Sequence, residues 1–220
     1  NLSETAFVSI HERPISIRWF TPSIEVDLCG HATLASARIL FDYYPKLARE
    51  EIKLDSKSGT LTVKKVDDGL CLNFPTDQPV VMESDPLFMD ILGIEPLKLL
   101  RGKDDYLAVF KHQKQIEDMQ PNFSLLKKVD ARGLVISAPG DEVNFVSRCF
   151  YPEAGIEEDP VTGSAHTMLT PYWAKELNED ELEAHQLSKR GGKLNCRLAN
   201  DRVFISGSSV IFFEGIISIV

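Results

Sequence analysis

Three short stretches of this chain carry side chains that could move a proton or hold an anion: Asn1-Leu-Ser-Glu4, Leu28-Cys29-Gly30-His31 and Glu158-Asp159-Pro160-Val-Thr-Gly163-Ser164. A carboxyl group enclosed in a cleft has its pKa raised towards neutrality and can both give and take a proton, which makes Glu4 a candidate for general acid/base work, with Asp159 a second carboxyl to assist it. His31 follows directly on a glycine that opens a helix. The positive end of that helix would lower its pKa and favour a neutral imidazole as donor or acceptor. Gly30 and Gly163 each stand where a helix should begin, and two helix N-termini aimed into one cleft offer free amides to an anion, with a carboxylate as the natural ligand. Ser164 adds a hydroxyl, and Gly191-Gly192 after Ser188 would let backbone approach that ligand closely.

Each of these residues also has a purely structural explanation. Asn1 as N-cap with Glu4 three residues on forms a capping box. Asp159 could bind amides ahead of a helix, His31 could be a simple N-terminal contact, and the glycines could merely permit tight turns. Cys29 has the strongest structural case, because free cysteine is among the most buried residue types and packs as a small hydrophobe. Other chemistries lack their signatures. Thr162-Gly163-Ser164-Ala165-His166 is not a hydrolase elbow, since His166 stands where glycine is required. The five histidines have no metal-ligand spacing, and there is no phosphate-binding loop or dinucleotide fingerprint, so the expectation is a reaction with no cofactor and no metal.

The elements that must position these residues form a repeat. Aligning Gly30 with Gly163, an offset of 133, also carries Gly59 onto Gly192, Lys64 onto Arg197, Asp68 onto Asp201, Leu70 onto Val203 and Leu72 onto Ile205 without a gap. Upstream, Arg18-Trp-Phe20-Thr-Pro22 maps onto Arg148-Cys-Phe150-Tyr-Pro152 at an offset of 130, so the second loop is three residues longer. Fixed self-similarity marks a repeated architecture. Two copies are too few for a solenoid, so the expected body is two pseudo-symmetric halves with a cleft between them, divided at residues 1–79 and 80–220.

Local patterns fill in the halves. Alternation predicts strands at Ile15–Phe20, Ile52–Asp55, Gly59–Lys65 and Leu70–Phe74, with Asp67-Asp68-Gly69 as a hairpin turn. Apolar residues on nearly every face of Gly30 to about Tyr44 predict an enclosed helix. Pro75–Pro79 reads as a linker. Beyond it, Asp85–Leu92 and Lys111–Met119 read as helices, and Tyr106–Phe110, Gly133–Ala138 and Val143–Phe150 as strands. A second central helix is expected from Gly163 to about Leu177, bent at Pro171, which removes one backbone hydrogen bond. Gly191–Cys196 and Arg202–Ile205 complete the second set of strands, and Val210–Val220 should supply closing ones.

Bulk properties narrow the class. The net charge of −9 disfavours nucleic acid and anionic membranes as partners. No apolar run is long enough to span a bilayer, and the start lacks the layout of a secretion signal. Cys29, Cys71, Cys149 and Cys196 form no C-x-x-C pair, which suggests neither zinc nor a disulfide framework and points to a reducing cytoplasm.

Together, Asn1-Leu-Ser-Glu4-Thr-Ala-Phe7, Leu28-Cys29-Gly30-His31-Ala-Thr33, Glu158-Asp159-Pro160-Val-Thr162-Gly163-Ser164-Ala165 and Gln186-Leu-Ser188-Lys-Arg190-Gly191-Gly192 resemble the PhzF-like family of phenazine-biosynthesis isomerases, over essentially the whole chain. The resemblance implies an α+β fold of the diaminopimelate epimerase type, with two pseudo-symmetric domains that each curl a mixed β-sheet around a central helix. Members usually carry roughly forty more N-terminal residues including a Gly-Asn-Pro segment, so an incomplete first domain is expected. Glu4 matches the family's catalytic acid/base, and His31 and Asp159 match positions lining the site.

Related epimerases carry a thiol base in the Cys29 loop and a second thiol in the other, where this chain has Asp159-Pro160. A two-thiol racemase is therefore disfavoured and Cys29 is at most auxiliary. The function implied is a cofactor-independent isomerase or epimerase of a small carboxylate-bearing metabolite, working as a homodimer. A catalytically silent binder of the same fold is the alternative.

Overall fold

The computed structural model describes residues 3–11, 14–47, 49–67, 69–83 and 85–216. Asn1 of the suggested capping box, Asp68 of the hairpin and repeat, and residues 217–220 of the expected closing strands lie outside them.

The first half runs β1 (Thr5–Ser9), β2 (Ile15–Phe20), β3 (Glu25–Val26), α1 (Gly30–Tyr43), β4 (Glu51–Ser56), β5 (Gly59–Val66) and β6 (Gly69–Pro75). The second opens with β7 (Val80–Val81), α2 (Pro86–Leu92), β8 (Lys98–Arg101), β9 (Asp105–Val109), α3 (Gln113–Glu117) and α4 (Phe123–Leu126). It continues with β10 (Gly133–Pro139), β11 (Phe145–Tyr151), β12 (Ile156–Asp159), α5 (Gly163–Leu177), β13 (Glu181–Gln186), β14 (Gly192–Ala199) and β15 (Arg202–Gly207).

The repeat seen in the sequence governs the hydrogen-bond register. Val63 pairs with Leu72 in the first half, and their counterparts Cys196 and Ile205 pair in the second. The parallel pair Ile15–Leu54 is matched by Phe145–Ala184, both at an offset of 130, so β13 lies three residues out of the ungapped 133 alignment. Each half therefore sends a hairpin out of a parallel crossover made by a helix, α1 in the first half and α5 in the second. The halves join edge to edge where β6 pairs antiparallel with β15. In that ladder Leu72 faces Ile205, its own repeat counterpart, so a pseudo-twofold axis passes between them.

One large apolar core runs through both halves, from Trp19, Leu40 and Phe41 to Leu169, Trp173 and Ile205. A second, containing Phe88, Ile116, Leu126 and Phe150, lies where α2, α3 and α4 cover the other face of β8–β11. No helix among the described residues is long and apolar enough to cross a membrane, which leaves β-barrels unaddressed.

Four expectations change. First, α1 is not enclosed: it packs on β1 and β6, and Ala35, Arg38, Ile39 and Tyr43 face solvent. The enclosed helix is α5, which meets β13–β15 and lays Trp173 parallel to Phe145 at 5.8 Å, with its indole N–H donating to Ser137 Oγ at 2.9 Å. Such stacking is worth about 0.5–1.5 kcal/mol beyond the buried area. Second, the hydrogen bond that Pro171 removes from within α5, Gly163–Leu177, is made good from outside the helix. The carbonyl that Pro171 cannot reach, Thr167 O, accepts the Asp77 amide from the linker at 3.0 Å. Third, α3 keeps only the middle of its expected span, between His112 as N-cap and Asp118 as C-cap. Fourth, residues 210–216 form no strand, since no edge among the described residues takes up their amides and carbonyls; Phe212 and Ile216 are almost fully exposed.

Candidate active site at the helix junction

The two central helices begin against each other. A β-carbon built on Gly30 would lie 3.1 Å from the Gly163 α-carbon, and one on Gly163 would lie 3.3 Å from Gly30. Neither glycine has a positive φ. What demands glycine here is the close approach of two helix starts rather than a turn, and it brings two sets of unpaired helix amides to one place.

Glu4 sits just before β1, so no helix follows it and the capping-box reading is overturned. Its Oε2 approaches His31 Nε2 at 3.3 Å, as an ion-pair contact, and that oxygen is buried without an aligned hydrogen-bond donor. Burial pushes the Glu4 pKa up, but the contacts with His31 and Ser3 prevail and hold it below the usual carboxylate value. For His31, burial works against the charged ring, yet Cys29, Glu4 and then Asp159 outweigh it and raise the pKa. The neutral imidazole expected at the helix end gives way to a raised pKa because the contacts with Cys29 and with the Glu4 carboxylate 3.3 Å away outweigh the cost of burial.

Asp159, at the end of β12 and 4% exposed, is the carboxyl whose pKa does move towards neutrality. Burial lifts it to about 6, against the pull of the His31 charge and the Thr162 hydroxyl, with the Glu4 carboxylate adding to the rise. Thr162 Oγ1 donates to Asp159 Oδ2 at 2.5 Å, while Asp159 Oδ1 is buried with no partner.

Cys29 is the N-cap residue of α1, 5% exposed, with Sγ 3.8 Å from both His31 ring nitrogens. Burial pushes its thiol up, so it stays protonated near neutrality. Ser164 is the second residue of α5 and the repeat counterpart of His31. A cavity of about 680 Å³ opens beside the junction, walled by Gly30, His31, Gly163, Ser188, Gly191 and Gly192 among others. Glu4, Cys29, Asp159 and Ser164 are not part of its walls, and His31 is shared between cavity and carboxylate cluster. Gly191 needs its positive φ of 76°, whereas a β-carbon on Gly192 would meet Val161 at 2.6 Å.

A family model for phenazine biosynthesis-like proteins, PhzC-PhzF, matches residues 1–215. The chain belongs to the phenazine biosynthesis-like family. It is 47% identical over 213 residues to an uncharacterized isomerase of Halalkalibacterium halodurans, across 96% of this chain and 80% of that protein. The crystal structure of a PhzF-family phenazine biosynthesis protein from Enterococcus faecalis matches at a TM-score of 0.91 with 43% identity, over 97% of this chain and 82% of that one. A predicted epimerase of Pseudomonas aeruginosa matches at a TM-score of 0.69 with 16% identity, over 94% and 80%, which bears on the fold alone. This phenazine biosynthesis-like protein is an isomerase with an α+β, epimerase-type fold of two pseudo-symmetric parts.

The sequence reading of this family member missed several supporting residues. Thr162 occupies the repeat position of Cys29, so the same offset that aligned the glycines could have singled it out. Gln186, quoted in a motif but given no role, braces the Asp159 loop: Nε2 donates to Asp159 O at 2.8 Å and Oε1 accepts the Thr162 amide at 2.7 Å. Ser188 Oγ donates to Pro160 O at 2.7 Å and accepts the Gly191 amide, tying the cavity loop to the acid loop. Arg132, bound through both guanidinium arms to Asp105, lowers the Asp159 pKa from a distance, and nothing local in the sequence marks it. Glu4, Cys29 and His31 also place carboxylate, thiol and imidazole donors within 4.8 Å of one another, the donor types that zinc takes, once the Cys29 thiol is deprotonated.

Proposed function

We propose that this isomerase moves a proton on a small carboxylate-bearing metabolite by general acid/base chemistry, without a cofactor. The observation that carries the reading is a pair of nearby carboxyl groups driven apart in pKa: Glu4 held ionised beside His31, and Asp159 raised to about 6. Such a split assigns the base and the acid. Glu4 Oε2 has a free lone pair to take a proton from substrate carbon, and His31 stabilises the carboxylate that waits for it. Asp159 Oδ1, partly protonated near neutrality, can give a proton or bind a basic group, while Thr162 fixes the other oxygen. The substrate carboxylate rests on the amides that open α1 and α5.

The test is deuterium uptake from heavy water into a panel of small carboxylic and amino acids. Uptake should occur with at least one acid, and Glu4→Gln should slow it by about 10²–10⁴ while ligand affinity changes far less. Uptake at the parental rate in Glu4→Gln, together with its loss in Cys29→Ala, would make the thiol the proton carrier. No uptake from any acid would favour a silent binder.

A further inference from the structure

The cavity beside the helix junction is out of character with the rest of the molecule. Acidic residues occupy 33 of the 220 positions and the chain carries a net charge of −9, yet among the described residues no acidic one lines this cavity. Its walls instead include His31 at one point and Arg190 and Lys193 on either side of Gly191-Gly192. Arg190 and Lys193, both exposed, join none of the ion pairs among the described residues, so their charges face the cavity mouth without a bound carboxylate. Two cations with no ion-pair partner among the described residues, at a cavity that no described carboxylate lines, make a field that selects for anions.

Between these charges the cavity is apolar. Leu34, Leu72, Val161, Leu187, Leu194 and Ile205 contribute to its walls. Leu72 and Ile205 are the pair on the pseudo-twofold axis, and Gly30 and Gly163, each other's repeat counterparts, face each other, so both halves contribute equally to the floor. At about 680 Å³ the space falls within the roughly 300–1,000 Å³ of sites that enclose whole small molecules, far more than one carboxylate and its α-carbon need.

We propose that the substrate is a dianion with a bulky apolar body: one carboxylate sits at the amides of α1 and α5, and a second anionic group reaches Arg190 and Lys193. The apolar body rests on Leu72, Ile205 and their neighbours. The reacting end rests on the acid/base reading of Glu4 and Asp159, but the far end does not. Arg190 and Lys193 are specificity residues that decide which carboxylates enter, and they take no part in proton transfer. The Ser188 bridge between Pro160 O and the Gly191 amide couples their loop to the one that carries Asp159, so a bound second anion would also steady the acid.

Calorimetric titration of the full chain with benzoate, isophthalate, terephthalate and adipate tests the assignment. At least one benzenedicarboxylate should bind ten or more times more tightly than benzoate, with the gap narrowing as salt is raised. In the double variant Arg190→Gln, Lys193→Gln the gap should close while benzoate affinity stays within about twofold, and Arg190→Lys should keep part of it. Equal affinities in the parent, or a gap that survives the double variant, would overturn the second anionic subsite. Adipate binding as tightly as the aromatic diacids would overturn the apolar body. Binding failure alongside Glu4-dependent deuterium exchange removes this proposal and leaves the isomerase reading standing; a charge-dependent gap without exchange does the reverse.

Discussion

Gly30 and Gly163 stand so close that neither can carry a side chain without moving the other's helix: a β-carbon on Gly30 would sit 3.1 Å from the Gly163 α-carbon. The contact sets the separation of two helix N-termini, and with it the place where their amides can meet one carboxylate. Gly30→Ala should cost about 1–3 kcal/mol of stability, the usual range for an extra carbon in a packed interior. Gly163→Ala should cost a similar amount, and the double variant less than the sum, since the first methyl already parts the helices. Urea unfolding of the three variants checks this. Additive losses would show that the glycines do not act on one another.

Asp159→Asn should raise stability at neutral pH while lowering activity. The folded pKa of about 6 lies above the ordinary 3.8, so the native state disfavours the ionised carboxylate. The destabilisation is absent below pH 4, grows as pH rises through the interval, and is complete above 6. Two pKa units correspond to about 2–3 kcal/mol, which the neutral amide avoids. Thermal unfolding at pH 4 and pH 7.5 should show the variant ahead only at the higher pH.

His166 gives the opposite dependence. It is fully buried in α5, its Nδ1 lies 2.8 Å from Thr162 O, and its Nε2 has no partner, so burial pushes its pKa down to about 4 from 6.5. Between those values the unfolded chain binds a proton that the native state refuses, and stability falls as pH drops from 6.5 to 4. His166→Gln should flatten that part of the profile. An unchanged slope would place the acid sensitivity elsewhere.

Cys29→Ala should keep most of the activity and lose about 1 kcal/mol of stability, the scale of a small buried truncation. The thiol is buried and protonated, and the matching position in the other half is Thr162, so the two N-cap positions do not form a pair of thiol bases. Exchange rates in the variant, measured beside Thr162→Val, check the asymmetry. Thr162→Val should have the larger effect, because it frees the Asp159 oxygen that the hydroxyl now holds.

Periodicity and the 133-residue offset, both read along the chain, determined the starts of α1 and α5 at the two glycines, the end of α5 at Leu177, and the matching registers of β5 with β6 and β14 with β15. These follow from local spacing, because a strand alternates and a helix repeats wherever the chain lies. The sequence also picked out Glu4, His31 and Asp159. What it could not assign was their charge. Glu4 was expected to carry the raised pKa and His31 a lowered one, and both moved the other way: against the cost of burial, His31 responds first to Cys29 two positions away and then to Glu4, and Glu4 to His31, a pair 27 positions apart that only folding brings to 3.3 Å. The same holds for residues 210–216, whose apolar run looks like a strand but has no edge among the described residues to pair with, and for α1, whose outer face no described strand covers. Composition marks a segment as able to be buried. Whether a partner arrives, and with what charge, is a property of the tertiary structure, since desolvation and pairing act over a few ångströms of space rather than a few positions of sequence.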